Sequence, residues 1–176
     1  YARRQRQMCI RDRERPNWFA AKGQEPLNQY SFHTRRTNWF ERVGLEVVGT
    51  RERAALLDLT PFAKHEVSGP GAEAFLDSMV ANRLPKKKGG ITLAHALTPT
   101  GGVESEFTIT REDEDRFYLV SSGAAERHDH DLLLKNLPKD NSVKLVNKTM
   151  DLGTLVVCGP ESRNLMVKLT DADLSS

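Results

Sequence analysis

Cysteine is scarce in this chain of 176 residues, which contains only Cys9 and Cys158. Long apolar runs are also missing, and none approaches the ~20 residues that a membrane-spanning helix requires. Net charge is small as well, at +2. The hydrophobic content of 38% and the charged content of 28% are typical of a soluble globular protein. The length predicts one domain and part of another.

The first thirteen residues lack the apolar periodicity of the rest. They carry five arginines and one aspartate, which is compatible with a basic arm that binds nucleic acid or membrane. A transit peptide is a second interpretation, although such peptides are rich in serine and this stretch has none. Back-translated, however, residues 3–12 resemble the transposase adapter used to prepare sequencing libraries. We therefore predict that residues 1–13 are not native protein sequence.

Leaving out residues 1–13 changes the composition in two respects. The remaining 21 basic and 23 acidic residues give a net charge of −2, so a nucleic-acid-binding surface loses its compositional support. Cys158 becomes the single cysteine. One cysteine cannot form an internal disulfide, which favours a reducing compartment.

The remaining sequence predicts strands interrupted by single helices. Residues 14–36 are expected to be an irregular approach segment, and Arg-Pro-Asn-Trp-Phe at 15–19 is echoed at 36–40, a pairing that predicts aromatic anchoring into a core. Helices are expected over residues 41–57, 72–82, 124–137 and 160–169, and strands over 62–68, 91–98, 103–110, 116–121, 142–150 and 152–157. This order predicts an α+β fold with antiparallel sheets and packed helices.

One segment occurs twice. Val67–Leu76 resembles Val157–Met166, and each copy predicts a strand, a Gly-Pro turn and an amphipathic helix. The first copy also has, from Gly69 to Ala74, the spacing of a dinucleotide-binding fingerprint. Pro70 removes one backbone N–H from a phosphate cradle, and the second copy lacks the second glycine. We therefore interpret these glycines as turn residues.

Other candidate sites carry weaker signals. His95, His128 and His130 have no cysteine or carboxylate partner at a recognised metal-binding spacing. The His-Asp-His-Asp sequence at 128–131 is therefore expected to be a solvated helix start, and Lys86–Lys88 a solvated turn. No Ser-His-Asp arrangement can be identified from the sequence.

The strand that follows Gly101-Gly102 combines acidic and apolar residues in alternation. Its period places Glu104 and Glu106 on one face. The opposite face takes Val103, Ser105, Phe107 and Ile109. Without further information, this pattern indicates acids that face water and apolar residues that face the core.

Several motifs, in order, resemble one family and together cover nearly all of residues 14–176. They are Arg15–Phe19, Leu57–Lys64, Val67–Pro70, Gly101–Glu106, Asp115–Val120, Glu126–Asp129 and Gly159–Arg163. They are similar to the folate-binding half of dimethylglycine and sarcosine dehydrogenases, which is related to the glycine-cleavage T-protein. The opening Arg-Pro-Asn-Trp-Phe favours the dehydrogenase branch. The resemblance implies an incomplete T-protein-like folate-binding domain, with residues 14–57 as approach segment and first helix and residues 58–176 as its N-terminal part.

The resemblance implies site residues as well. An acidic residue beside N10 of tetrahydrofolate carries over to Glu106, where the family usually has Asp. A folate-contacting Asn of the T-protein branch corresponds to Ser122, so that contact is altered, and Leu97 is likewise assigned to folate binding. A carboxylate beside N10 can accept its proton and stabilise developing positive charge.

Two classes of function follow. The first is an FAD-linked demethylase of an N-methylated glycine, whose flavin domain lies outside this chain and whose tetrahydrofolate captures the carbon as 5,10-methylenetetrahydrofolate. This chain alone is then expected to be inactive. The second is a non-catalytic regulatory module of the same fold, and a free-standing aminomethyltransferase is a further alternative. The expected partners are small molecules and neither nucleic acid nor membrane, with no expectation for the oligomeric state. The expected compartment is the bacterial cytoplasm or the mitochondrial matrix.

Overall fold

The computed structural model of the chain describes residues 4–10, 13–24 and 36–175. It divides into two compact units, one formed by residues 1–59 with 155–176 and the other by residues 60–154. Among the described residues, no helix has the length and apolar character needed to cross a membrane.

Strands outnumber helices along the described residues. In chain order the elements are β1 (Arg4–Ile10), β2 (Arg13–Phe19), α1 (Phe40–Glu52), β3 (Ala55–Asp58), β4 (Ala63–Ser68), α2 (Ala72–Met79), β5 (Ile91–Leu97), β6 (Val103–Asp113), β7 (Arg116–Ser121), α3 (Glu126–Lys135), β8 (Lys144–Asn147), β9 (Leu155–Cys158) and α4 (Ser162–Met166). A short 3-10 turn at Gly123–Ala125 leads into α3.

The first unit contains two antiparallel strand pairs, β1 with β2 and β3 with β9. Two expectations were therefore wrong in this unit. Residues 14–19 belong to a strand rather than to an irregular segment. The first helix ends at Glu52 instead of residue 57, because the backbone of Ala55–Asp58 pairs with β9. The adapter origin of residues 1–13 stays a prediction.

The predicted aromatic anchoring in this unit holds for the tryptophans. Trp18 is 1% exposed and stacks against Trp39, with 6.5 Å between the ring centroids. Phe19 and Phe40 are exposed. The indoles of the two predicted Trp-Phe pairs therefore make this contact, while the phenylalanines remain on the surface.

The second unit is built on a five-stranded antiparallel sheet in the order β5-β6-β7-β4-β8. One face, which we call the inner face, packs against α2 and α3. Its buried cluster includes Phe75 and Leu76 of α2, Leu133 of α3, and the sheet residues Val67, Ala94, Ala96, Phe107, Ile109, Phe117 and Leu119. The opposite, outer face carries the alternate residues of each strand. The predicted α+β class with antiparallel sheets is confirmed.

Alternation along β6 also agrees with the sequence, with one exception. Ser105, Phe107 and Ile109 are buried, and Glu104 and Glu106 are exposed. Val103 was expected on the core face but is 66% exposed. A register irregularity between Ala96 and Leu97 pairs Val103 with Leu97, so the alternation of β6 is broken at this end.

The repeated segment forms a strand, a turn and a helix in both copies. Gly69 has φ +111° and Gly159 has φ +103°, a region that L side chains rarely adopt. A Cβ added to Gly69 would lie 2.5 Å from the carbonyl oxygen of Ser142. A close backbone approach thus accounts for Gly69, in agreement with its interpretation as a turn residue.

Replacement of Gly69 tests this approach. Gly89→Ala is the matched control, because Gly89 also has positive φ (+79°) but has open space around a built Cβ. We expect the control to lose about 1–2 kcal/mol of unfolding free energy through backbone strain. Gly69→Ala should lose roughly 1–3 kcal/mol more, since the new methyl group meets the Ser142 carbonyl. Urea unfolding measures both losses, and equal losses would show that the carbonyl moves away freely.

Candidate functional site

Glu106 lies on the outer face of the sheet, in the middle of a row of polar side chains. Its partner in the β5–β6 register is His95, and His95 Nε2 lies 2.9 Å from Glu106 Oε2. The side chain of Glu106 is 58% exposed and that of His95 33%. The cross-strand contact therefore holds one carboxylate oxygen while the group stays open to solvent.

Ser122 continues this row beyond the end of β7. The β6–β7 register pairs Thr108 with Val120, and its continuation by one alternation sets Ser122 opposite Glu106. Ser122 is exposed. The two residues that the sequence assigned to catalysis and to folate contact thus belong to neighbouring strands, Glu106 within β6 and Ser122 directly after the end of β7.

Leu97, the third predicted site residue, follows His95 by two positions on β5 and is 43% exposed. Leu93, two positions before His95, is 52% exposed. Since residues two apart point to the same side of a strand, both leucines flank His95 on the outer face. The exposed carboxylate of Glu106 can accept a proton, and the leucines beside its partner His95 can pack against a flat ligand.

The backbone of His95 is fixed from the side away from β6. Its N–H donates to Asn82 Oδ1 at 2.9 Å, and its carbonyl accepts from the N–H of Ala81 at 3.0 Å. Val80 forms a bridge with Ala96 next to it. Residues 80–82 therefore hold in place the strand segment that carries the partner of Glu106.

A buried carboxylate lies on the inner face beneath this row. Asp129 of α3 is fully buried and accepts 2.6 Å hydrogen bonds from Ser105 Oγ and Ser121 Oγ, one on each carboxylate oxygen. The expectation of a solvated His-Asp-His-Asp sequence is therefore wrong for Asp129, because the helix turns this side chain toward the sheet. It holds for His128, whose side chain is 55% exposed.

Next to Asp129 lies a histidine pair that sequence reasoning missed. His65 of β4 is fully buried and stacks on His130, with ring centroids 5.4 Å apart. Neither ring nitrogen of His65 has a hydrogen-bond partner among the described residues. Burial lowers the pKa of His65 to about 4, and His130 adds to this effect, while Asp129 and Glu126 partly oppose it. The signal in the sequence was a histidine in phase with Ala63 and Val67 on a predicted strand.

Metal binding has no candidate in the part of the chain that the structure describes. No group of three or more His, Cys, Asp or Glu side chains there is placed to hold a metal ion.

Comparison with known proteins gives consistent matches. The GCVT N-terminal domain family matches residues 8–176. Human mitochondrial dimethylglycine dehydrogenase is 39% identical over 163 residues, which cover 92% of this chain and 18% of that protein. The 4-methylaminobutanoate oxidase (formaldehyde-forming) of Paenarthrobacter nicotinovorans is 33% identical over 162 residues, which cover 92% and 19% respectively. The chain thus spans less than a fifth of the length of these relatives.

Among solved structures, the glycine cleavage system aminomethyltransferase T from Bartonella henselae superposes with a TM-score of 0.74 at 19% identity. The match covers 95% of this chain and 40% of that one. At this level of identity the likeness shows the fold alone, and the predicted T-protein fold is confirmed.

The lowered pKa of His65 predicts a loss of stability in acid. The unfolded chain takes up a proton near the ordinary pKa of 6.5, whereas the folded chain does so only near 4. The stability that neutral His65 contributes is therefore fully present above its unfolded pKa of 6.5, and it is lost as the pH falls toward the folded value near 4. We expect the unfolding free energy to fall by about 2 kcal/mol between about pH 7.5 and about pH 5 on account of His65.

The measurement is urea unfolding at both pH values for the wild type and for His65→Phe, which keeps a ring against His130. The variant should show a smaller loss by the amount assigned to His65. Equal losses in the two proteins would mean that His65 does not cause the acid sensitivity.

Proposed function

Because the chain belongs to the GCVT N-terminal domain family, we propose that it forms part of a tetrahydrofolate-dependent one-carbon-transfer domain. Its parent would be an FAD-linked demethylase of N-methylated glycines. The names of the dehydrogenase and oxidase relatives support the demethylase class. The observation that carries the proposal is the exposed Glu106 carboxylate on β6, with the exposed Ser122 directly after the end of the neighbouring strand β7.

The outer face fits a reduced folate in the chemistry of its side chains. Leu93 and Leu97 offer apolar surface for a flat ring system. Glu106 on β6 and Ser122 after β7 offer exposed polar groups. Small-molecule sites usually combine apolar surface with a few placed polar groups. When bound, tetrahydrofolate supplies the N10 amine that takes up the one-carbon unit.

Glu106 has the role of proton acceptor in this proposal. A carboxylate at hydrogen-bond distance from an amine can take its proton and stabilise the positive charge that precedes its loss. His95 orients the group through its 2.9 Å contact with Oε2. Glu extends one C–C bond, ~1.5 Å, farther than the Asp usual in the family, and a displacement of this size affects the rate. The pairing with His95 directs the longer side chain along the sheet.

The remaining parts of the reaction belong to the parent protein. Its flavin domain would accept a hydride from the N-methyl group and leave an iminium carbon for capture as 5,10-methylenetetrahydrofolate. The 176-residue chain by itself is then expected to yield no product. We place the parent in the mitochondrial matrix or the bacterial cytoplasm, with small molecules rather than nucleic acid or membrane as its ligands.

A non-catalytic module is the second candidate. The departures from the family pattern at Glu106 and Ser122 favour a regulatory module that keeps the fold without transferring carbon. A free-standing aminomethyltransferase is a third candidate, supported by the shared fold.

Replacement of Glu106 in the full-length parent separates the first two candidates. Glu106→Gln keeps the shape of the side chain but removes the base, and we expect the yield of methylenetetrahydrofolate per turnover to fall about 10²–10⁴-fold. Glu104→Gln, which also neutralises an exposed acid on this face, is the control and should leave the yield unchanged. An unaltered yield in Glu106→Gln would contradict the catalytic assignment.

The reading frame that flanks this chain gives an independent prediction. A demethylase requires a flavin domain, so the frame should encode a strand, a Gly-x-Gly-x-x-Gly turn and a helix that together bind a dinucleotide. Sequencing of the complete gene checks this expectation. A complete frame without such a unit would argue against the FAD-linked enzyme.

A further inference from the structure

Asp129 links the two strands that carry the candidate site. Its Oδ1 accepts a hydrogen bond from Ser105 Oγ and its Oδ2 one from Ser121 Oγ, both at 2.6 Å. Each serine is the chain neighbour of a site residue, since Ser105 precedes Glu106 and Ser121 precedes Ser122. Successive residues of an extended strand point to opposite faces. A serine fixed on the inner face therefore determines where its neighbour stands on the outer face.

The link occurs where the backbone pairing of these strands ends. The β6–β7 register runs from Thr108 with Val120 to Asp113 with Arg116. The row of Glu106 and Ser122 lies beyond the first of these pairs. Below that row, the Asp129 carboxylate bonds both strand ends, and bonds from a hydroxyl to an ionised carboxylate are among the stronger hydrogen bonds of proteins.

The surroundings of Asp129 hold its carboxylate in place. It lies in the first turn of α3, a helix of ten residues, where the helix dipole stabilises negative charge. His128 Nδ1 lies 3.2 Å from Oδ1 as a third polar contact. Burial of a carboxylate is costly unless its oxygens are hydrogen-bonded, and in this site the two serines supply that bonding.

We propose that Asp129 is a positioning residue of the folate site, which acts through Ser105 on Glu106 and through Ser121 on Ser122. The inference rests on the proposed function and deepens it by assigning a role to side chains that do not touch the ligand. A single carboxylate sets the spacing of the two ligand-facing groups, because each of its oxygens holds one strand.

The test measures the affinity of the full-length parent, with these residues changed in it, for 5-formyltetrahydrofolate, a stable reduced folate, by titration calorimetry. Ser105→Ala and Ser121→Ala remove one link each, and Asp129→Asn alters both. Asp77→Asn is the control, because Asp77 is an exposed acid on α2. We expect each serine variant and Asp129→Asn to weaken binding by about tenfold, within the range of coupled neighbours, and the control to bind like the wild type.

A double-mutant cycle distinguishes positioning from general stability. Ser105→Ala is repeated in a Glu106→Ala background and Ser121→Ala in a Ser122→Ala background. If each serine acts through its neighbour, its effect on affinity disappears once that neighbour is truncated. An effect of equal size in both backgrounds would overturn the proposal, because a purely structural loss does not depend on the neighbouring side chain.

Failure of the inference and failure of the proposed function give different results. If Glu106→Ala and Ser122→Ala weaken binding while the serine and Asp129 variants do not, the positioning role is wrong and the folate site stands. If the wild type binds no reduced folate, the proposed function fails and the inference falls with it. Each serine variant removes only the hydroxyl oxygen and is therefore expected to fold. These variants test the inference even if Asp129→Asn does not fold.

Discussion

The register of β6 against its neighbours is the constraint on which the candidate site depends. Phe107 and Ile109 are buried on the inner face together with Phe117 and Leu119 of β7. A shift of one residue would expose these side chains and bury Glu106 instead. The free energy of the apolar core therefore fixes which side of the sheet the carboxylate occupies, although none of the core residues belongs to the site.

Much of this part of the fold could be predicted from local sequence. Strand β7 was expected at residues 116–121 and lies there, because apolar and polar residues alternate between two clear turns. Boundaries were less accurate where a residue's partner is distant in sequence. The first helix was predicted to continue through residues that pair with β9, a strand about 100 residues later. The residues around this helix in the sequence do not show that it ends where a distant strand pairs with the chain.

The site itself was predictable only in part. Glu106, Ser122 and Leu97 follow from resemblance to a family, and alternation along the strand predicts which face Glu106 occupies. His95 as the partner of Glu106 follows only once the hairpin register is known. Asp129 was misjudged, because an acid within a charged helix start normally faces water. Its two hydrogen-bond donors, Ser105 and Ser121, are 24 and 8 residues away in sequence. Both serines occupy core-facing positions of predicted strands, and a hydroxyl in such a position indicates that a buried acceptor lies nearby.

The segment at residues 80–82 has a consequence for how anything can approach the site. β5 is an edge strand of its sheet, and an open edge ordinarily invites an extended peptide to join as an additional strand. At His95 both backbone groups are already occupied by Ala81 and Asn82. A peptide or a second copy of the chain therefore cannot extend the sheet at the level of Glu106. Recognition at that level is confined to groups that approach the outer face and contact its side chains.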